Sequence, residues 1–354
     1  MSTYIIRRLL LLPVLLFGVT VLIFGMVSFL SPVERSALYI RDIPRNELVM
    51  RAVIKQYGLE DPIYIQYWRW LVGRVDPATG ERRGGILYGD FGWSRTASQP
   101  VADLIRNRFP NTLDLTLWAI VPVVAVGIWM GIQAAVHHNG AADQGGRVFS
   151  VIGTSFPTFV FGLLVLMIFY AQLRWFPPGR SSDWASQVIL SDAWHSYTHL
   201  LTLDSLLNLR FDIFVDTLRH MVLPILTLAY LNWAVFLRVT RSSMLETLRQ
   251  DYVTTARAKG LPENDVVNKH ARPNALIPVV TLAGFTVVAL LGGVVITETV
   301  FDYPGIGSAA AEAARQLDVL TVLGLALFIG LILIVSNLVV DVAYGFIDPR
   351  IRLD

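Results

Sequence analysis

Six long apolar runs punctuate the chain: Leu9–Leu30, Leu113–Val136, Val148–Ala171, Met221–Leu237, Ile277–Thr297 and Val319–Val340. A bilayer core about 30 Å thick is crossed by around 20 apolar residues rising 1.5 Å each, so each run is predicted to be a transmembrane helix. The third run carries no charged residue, and the fourth is the shortest, with 17 residues and Asn232 inside it. None shows the two-residue alternation of a strand, and a membrane barrel would need many shorter alternating segments. The expected class is therefore all-α, a polytopic membrane protein with six transmembrane helices.

Between the runs the periodicity changes. Asn46–Tyr57 places Leu48, Val49, Ala52 and Val53 on one helical face, and Gly58 ends the pattern. Asp61-Pro62 supplies an N-cap and a first-turn proline for a helix over Ile63–Val72. Its Tyr64, Tyr67, Trp68 and Trp70 suit the lipid headgroup layer or a protein contact. Gly84–Gly92 reads as turns, and segment 172–220 as a lid or docking loop. The connection 238–276 is the most informative. Met244, Leu248, Tyr252 and Ala256 recur every four residues, predicting one helix flanked by Arg249 and Arg257 and stopped at Gly260. Pro262 then opens a second helix, Asp265 and Lys269 pair along it at i,i+4, and Pro273 closes it. A loop of 39 residues with two capped helices exceeds what a connection needs, and reads as a rigid protrusion made to contact something.

Composition agrees with the runs. Of 354 residues, 54% are hydrophobic and 16% charged, and the mean hydropathy is +0.54. Soluble domains carry about 25% charged residues. The absence of cysteine excludes a disulfide framework, a thiolate zinc site, an iron–sulfur cluster and a cysteine nucleophile. A net charge of +2 is too small to point to nucleic acid. Placement of the charges says more. Arg7 and Arg8 precede a first run of 22 residues that no small-x-small site follows, so a retained anchor with an inner amino terminus is expected. Six spans return the carboxyl terminus to the same side. The inner segments then hold twelve basic residues and the two shorter outer loops five, as the positive-inside bias requires. Segment 31–112, with twelve basic and nine acidic residues, exceeds the roughly 60-residue range of that rule. The organisation expected is a tip and first span (1–30), an extracytoplasmic helical insertion (31–112), a core of five spans (113–344) and a cytoplasmic tail (345–354).

Within the protrusion, Thr254-Thr255-Ala256-Arg257-Ala258-Lys259-Gly260-Leu261 and His270-Ala271-Arg272-Pro273-Asn274-Ala275 resemble the "EAA" loop of ABC importer membrane subunits. The similarity is greatest to the dipeptide/oligopeptide permease family. Gly260 and Pro273 stand at the motif's spacings, while Thr254 replaces its glutamate and Thr255 its first alanine. Tyr4–Leu9, Gly89–Ser94, Gly292-Gly293 with Glu298–Phe301 and Pro304–Gly307, and Asn337–Asp341 with Asp348–Arg352 are similar to the same family, in the same order. The resemblance implies a type I ABC importer permease fold in a bacterial or archaeal cytoplasmic membrane. It implies a second homologous permease subunit, two cytoplasmic ATPase subunits that bind the ATP and magnesium, and an extracytoplasmic solute-binding protein. On this reading the chain is a non-catalytic subunit without a cofactor of its own, consistent with its lack of a GxxxxGK[ST] loop. Residues 254–261 and Pro273 would form the element that couples it to the ATPases. The cargo implied is a di- or oligopeptide; nickel, glutathione, a sugar or a peptide antibiotic are alternatives within the class, and a stand-alone secondary transporter a further one.

Other positions carry candidate chemistry. Glu298 and Asp302, with the turn Pro304, Gly305 and Gly307, are candidates for an outer gate or a binding-protein contact, against a plain helix end. His195 and His199 at i,i+4 are weak metal candidates beside Asp192 and Asp204. Gly127 and Gly131 permit close helix approach, within this chain or with a partner. Thr154, Ser155 and Thr158 on the uncharged run could line a path for a polar solute.

Overall fold

A computed structural model describes residues 2–36, 46–75 and 82–347. The side chains of Arg7 and Arg8, and residues 348–354 with the Asp348–Arg352 stretch, lie outside the described residues. In chain order the helices are α1 (Ser2–Ser28), α2 (Pro32–Ser36), α3 (Glu47–Tyr57), α4 (Ile63–Val72), α5 (Val101–Val136), α6 (Ala141–Ser155), α7 (Thr158–Val165), α8 (Asp183–Ile189) and α9 (Leu201–Leu207). They continue as α10 (Phe211–Thr247), α11 (Asp251–Ala258), α12 (Glu263–Asp265), α13 (Arg272–Ala275), α14 (Ile277–Leu291), α15 (Val295–Val300), α16 (Ile306–Arg315) and α17 (Val319–Ile347). Two-stranded pairings, Arg74–Val75 with Arg82–Arg83 and Trp93–Ser94 with Gln99–Pro100, are the only sheet among the described residues.

Among the described residues four stretches are long and apolar enough to cross a membrane: Leu9–Ser28, Val101–Val136, Phe211–Thr247 and Val319–Val342. Two bent pairs raise the number to six if each is one span: Ala141–Ser155 with Thr158–Gln172, bent by 103°, and Glu263–Ala275 with Ile277–Leu291, bent by 51°. The shortest predicted run thus belongs to a continuous helix of 37 residues, since polar ends extend helices that hydropathy alone truncates. Pro122 and Pro224 ride inside intact helices, but Pro157 breaks the uncharged run. Phe156 before it is extended (φ −85°, ψ 124°), as the proline ring demands of its predecessor.

The chain forms two compact units. The first comprises Met1–Pro110 and Gly305–Leu338. Ile23 and Phe24 of α1, Trp70 of α4 and Leu327 of α17 form one core cluster there, and the Tyr67 hydroxyl lies 2.8 Å from that of Thr20. Tyr67 and Trp70 therefore turn onto α1, while Tyr64 and Trp68 of the same helix are exposed. The α3 boundaries match the sequence: Asn46 caps it by accepting from the Leu48 amide at 2.9 Å, and Gly58 follows at φ +59°. Its buried face does not. Met50 and Ile54 face inward, and Leu48 is 76% exposed. Asp61 is likewise no N-cap; its carboxylate pairs with Arg69 one face along, and Pro62 takes the cap position. The Gly89–Ser94 stretch finds its anchor in Asp318, which accepts from the Arg95 amide (2.8 Å), the Thr96 amide (3.0 Å) and the Thr321 hydroxyl (2.6 Å). Burial pushes this carboxyl up, but the converging donors outweigh it and hold it below the ordinary carboxylate range.

The second unit comprises Asn111–Pro304 and the chain from Val339 on. Its axis is α10, against which α6, α7, α9, α13 and α14 pack. Small residues set the closeness. A Cβ placed on Gly127 would lie 2.5 Å from that of Phe236, one on Gly153 2.8 Å from that of Ala234, and one on Gly131 would meet both Thr240 and the Leu237 carbonyl oxygen. The Gly127–Gly131 pair is thus used within this chain, between α5 and α10. The buried Asp143 joins α6 to α10 by taking Arg147 at 2.7 Å and the Arg241 guanidinium, with the Asn139 amide at 2.9 Å. Segment 172–220 is held by two further carboxylates. Asp216 accepts the amide (2.8 Å) and hydroxyl (2.6 Å) of Ser182, and Asp204 the amide and hydroxyl of Thr198, both at 2.8 Å.

Candidate functional site

The connection between α10 and α14 folds as a hairpin in the second unit. One helix carrying Met244, Leu248, Tyr252 and Ala256 and stopped at Gly260 was expected; α10 instead ends at Thr247, and α11 starts afresh at Asp251 after the Gln250 cap. That interruption resets the helical phase. Met244, Val253 and Ala256 go inside, packed with Val266, Val267, Ala271 and Ala275, while Tyr252 is 43% exposed. Gly260 has φ +76°, in the left-handed region a glycine reaches without steric cost, and its amide donates to the Arg257 carbonyl at 2.9 Å. Pro262 caps α12 rather than beginning it. Pro273 does not close the second helix: it sits in the first turn of α13, where its missing N–H costs little, and the helical path runs on towards α14. Asp265 and Lys269 pair at 3.0 Å, as their spacing predicted.

The exposed and buried halves are cleanly separated. Thr254, Thr255, Arg257, Ala258, Lys259, Gly260 and Leu261 are exposed, and Ala256 alone of the motif faces inward. Arg257 is engaged inside the hairpin, where its guanidinium donates to Glu263 at 2.7 and 3.1 Å and to the Leu248 carbonyl at 3.3 Å. Lys259 forms no ion pair among the described residues. Sequence periodicity missed Glu263, because a pair six residues apart meets only after the chain reverses at Gly260.

Hydrogen bonding from Arg257 holds the Glu263 carboxyl below its ordinary range. A carboxyl whose folded pKa is depressed stabilises the fold above its unfolded pKa, and that contribution fades as pH falls through the folded value. Both partners are substantially exposed, so the pair is worth about 0.5 kcal/mol. Glu263→Gln is expected to speed amide exchange at Gly260 about twofold near pH 7, with wild type and variant converging once the pH is well below about 4. Equal exchange at neutral pH would show the clasp to be idle.

The second candidate group is divided between the units. Glu298, wholly buried, accepts from the Thr112 hydroxyl at 2.7 Å, and its carbonyl takes the Tyr303 amide at 2.8 Å. Asp302 is exposed at φ +51°, and the Pro304 carbonyl accepts the Asn111 side-chain amide at 2.7 Å. Gly305 and Gly307 belong to the first unit, where Gly305 caps α16. His195 and His199 stand in a loop, not on a helix, so the i,i+4 argument for a shared metal fails. The His199 ring meets the Ser196 hydroxyl at 3.2 Å, and Asp204 is occupied by Thr198.

The second unit also holds a cavity of about 310 Å³ that hydropathy did not foretell, lined by Thr158, Thr227, Asn232, Gly293, Val294 and Thr297 among others. It sits where α7 begins after the Pro157 break and where α14 gives way to α15 at Gly292-Gly293. Among the described residues, no ionisable side chain lines it. Of the three polar residues expected along the uncharged run, only Thr158 reaches this cavity. Thr154 and Ser155 turn their hydroxyls onto their own helix, at Ser150 (3.0 Å) and Val151 (2.8 Å).

Comparison with known proteins places this architecture. Residues 124–353 match the model of the binding-protein-dependent transport system inner membrane component family, and residues 1–116 match the amino-terminal model of such membrane components. The chain is similar to the oligopeptide transport system permease protein AppB of Bacillus subtilis, with 35% identity over 99% of this chain and 100% of the relative. It is similar to the di/tripeptide transport system permease protein DppB of Pseudomonas aeruginosa, with 37% identity over 99% of each. The glutathione transport system permease protein GsiC of Escherichia coli is 36% identical, again over 99% of each.

Proposed function

This chain belongs to the family of binding-protein-dependent transport system inner membrane components, and we propose that within it the chain carries di- and oligopeptides inward as one of two permease subunits of an ABC importer. A solute-binding protein delivers the peptide on the outer side, where the exposed Asp302 turn offers it a contact. Two ATPase subunits bind and hydrolyse ATP with magnesium on the inner side, where both termini of this chain lie. The chain performs no chemistry on its cargo.

The observation that carries this reading is the division of the α11–α13 hairpin into a clasped, buried inner face and a bare exposed apex. Ala258, Lys259, Gly260 and Leu261 are free of the hairpin's own core, so a cleft on an ATPase can take them without unfolding anything. A lever has to be stiff to transmit motion, and the Arg257–Glu263 clasp and the buried Val253 and Ala256 stiffen this one. ATP-driven closure then moves α10 and α14 through their direct continuity with the hairpin. The work originates in ATP bound differently by two states of the partner, since a ligand shifts an equilibrium only by its differential affinity.

Charge reversal separates the two cations of the motif. Lys259→Glu is expected to leave the hairpin folded, to reduce the ATPase subunits that copurify with the tagged chain by about fivefold or more, and to lower trialanine uptake in parallel. Undiminished copurification would remove the apex from the interface. Glutathione is the second reading, favoured by the 36% identity to GsiC. Competition between labelled trialanine and glutathione in the reconstituted importer decides between them.

A further inference from the structure

The cavity at the two helix breaks carries an inference that rests on the peptide reading and deepens it. Its walls are mostly apolar, with Leu228, Leu231, Val295 and Ile296 among them, and the few hydrogen-bonding groups they carry include ones that the protein itself leaves unused. Thr297 is only 2% exposed, yet its hydroxyl meets no partner among the described residues. Asn232 spends its amide nitrogen on the Leu228 carbonyl at 2.7 Å and leaves its side-chain oxygen without a donor among them. Thr227 donates to the Leu223 carbonyl at 2.9 Å and retains its accepting capacity. The backbone is irregular here too, since Gly293 takes φ +96° and Val294 (φ −94°, ψ 62°) lies outside both α14 and α15. Thr227 and Asn232 fall near the middle of the 37-residue α10, far from either end of a membrane-crossing helix. At such depth non-helical backbone is tolerated where it is buried in protein or lines a water-filled cavity, and here it lines a cavity.

We propose that this cavity binds the main chain of the peptide in transit, through the Thr297 hydroxyl, the Asn232 side-chain oxygen and the Thr158 hydroxyl, and that it does not read the cargo's charge. Peptide groups are neutral and offer one donor and one acceptor each, which is what these walls can satisfy. A charged side chain would find no counter-ion among the described residues, because none of those lining the cavity is ionisable. At about 310 Å³ the space is at the small end of ligand pockets and holds a few residues at a time. Passage therefore replaces water's hydrogen bonds to the peptide backbone with the protein's, so that a sequence-tolerant path need not be a strongly polar one.

The test uses the complete importer in proteoliposomes. The chain contains no cysteine, so Thr297→Cys introduces its sole thiol. A small water-soluble methanethiosulfonate should modify that thiol, trialanine should slow the modification about fivefold or more during turnover, and trialanine N-methylated at its peptide nitrogens should not. Thr297→Val should lower trialanine uptake about fivefold, the worth of one hydrogen bond, with ATP hydrolysis unchanged and Thr297→Ser restoring uptake. Trialanine uptake by the Thr297→Cys importer with no protection of the introduced thiol, or undiminished uptake by Thr297→Val, overturns the proposal and leaves the peptide reading standing. Loss of ATP hydrolysis in step with uptake overturns it by giving Thr297 a structural role. Failure of the wild-type importer to take up trialanine overturns both.

Discussion

Replacing Gly260 by proline is expected to abolish uptake by the assembled importer while the chain still folds and inserts. The position has φ +76°, and proline is confined near −65°. The ring also removes the amide that donates to the Arg257 carbonyl at 2.9 Å. Both effects strike the reversal that sets α11 against α12 and brings Arg257 to Glu263. The buried side of the hairpin, with Val253, Ala256, Val266 and Ala271, contains none of the turn residues, so the damage is expected to fall chiefly at the apex. Reconstituted complexes should show ATP hydrolysis that no longer responds to cargo, with uptake at the level of empty vesicles. Asparagine, which enters the left-handed region at a cost of about 1 kcal/mol, should retain most of the transport. Proline-bearing protein that transports like wild type would dismiss the hairpin as the coupling element.

Gly131→Leu is expected to have the largest effect on folding itself. A Cβ alone would lie 2.9 Å from the Leu237 carbonyl oxygen and closer still to Thr240, and the remaining side chain has nowhere to go. Backbone cannot rotate away as a side-chain tip can, so α5 and α10 have to part along their contact. The Trp233 indole bond to the Pro122 carbonyl, 2.8 Å long, belongs to the same contact and would be strained with it. Overpacking of this kind costs about 3 kcal/mol or more. It should appear as a melting temperature in detergent lowered by about 5 °C or more, or as failure to accumulate folded protein. Gly145→Ala is the control. Beyond its chain neighbours and its own helix backbone, no atom of the described residues lies within 4 Å of its added methyl group, and helix propensity should make it neutral or slightly stabilising. Equal melting of Gly131→Leu and wild type would contradict the close approach.

Much of the architecture was legible beforehand because hydropathy and capping are local properties. The apolar runs located the long helices, Asn46 and Gly58 bounded α3, and Gly260 marked the reversal. The errors share one origin. In α3 both Leu48–Val49 and Met50–Ile54 offer an apolar stripe, and which of them is buried depends on the neighbour rather than on the helix. In the hairpin a short break at Leu248–Gln250 shifted the inward face from Tyr252 to Val253. Asp61 is a sound N-cap by type, yet Arg69 claims its carboxylate. The histidine pair looked like a helix face only because i,i+4 spacing was given a helix that the loop does not form.

By itself the amino-acid order determined that the chain is an all-α membrane protein, where its long helices lie, and that the chain reverses at Gly260. Those properties follow from hydrophobicity, φ preference and spacing, each set by residues adjacent in the chain. Only the tertiary structure decided that Gly127 and Gly131 serve α10 of the same chain, that Glu263 rather than a partner claims Arg257, and that Asp143 and Asp318 are anchors. It alone brought the Pro157 and Gly292-Gly293 breaks to one cavity. These are pairings across tens to hundreds of residues, and no local rule selects among the many partners that such groups could take.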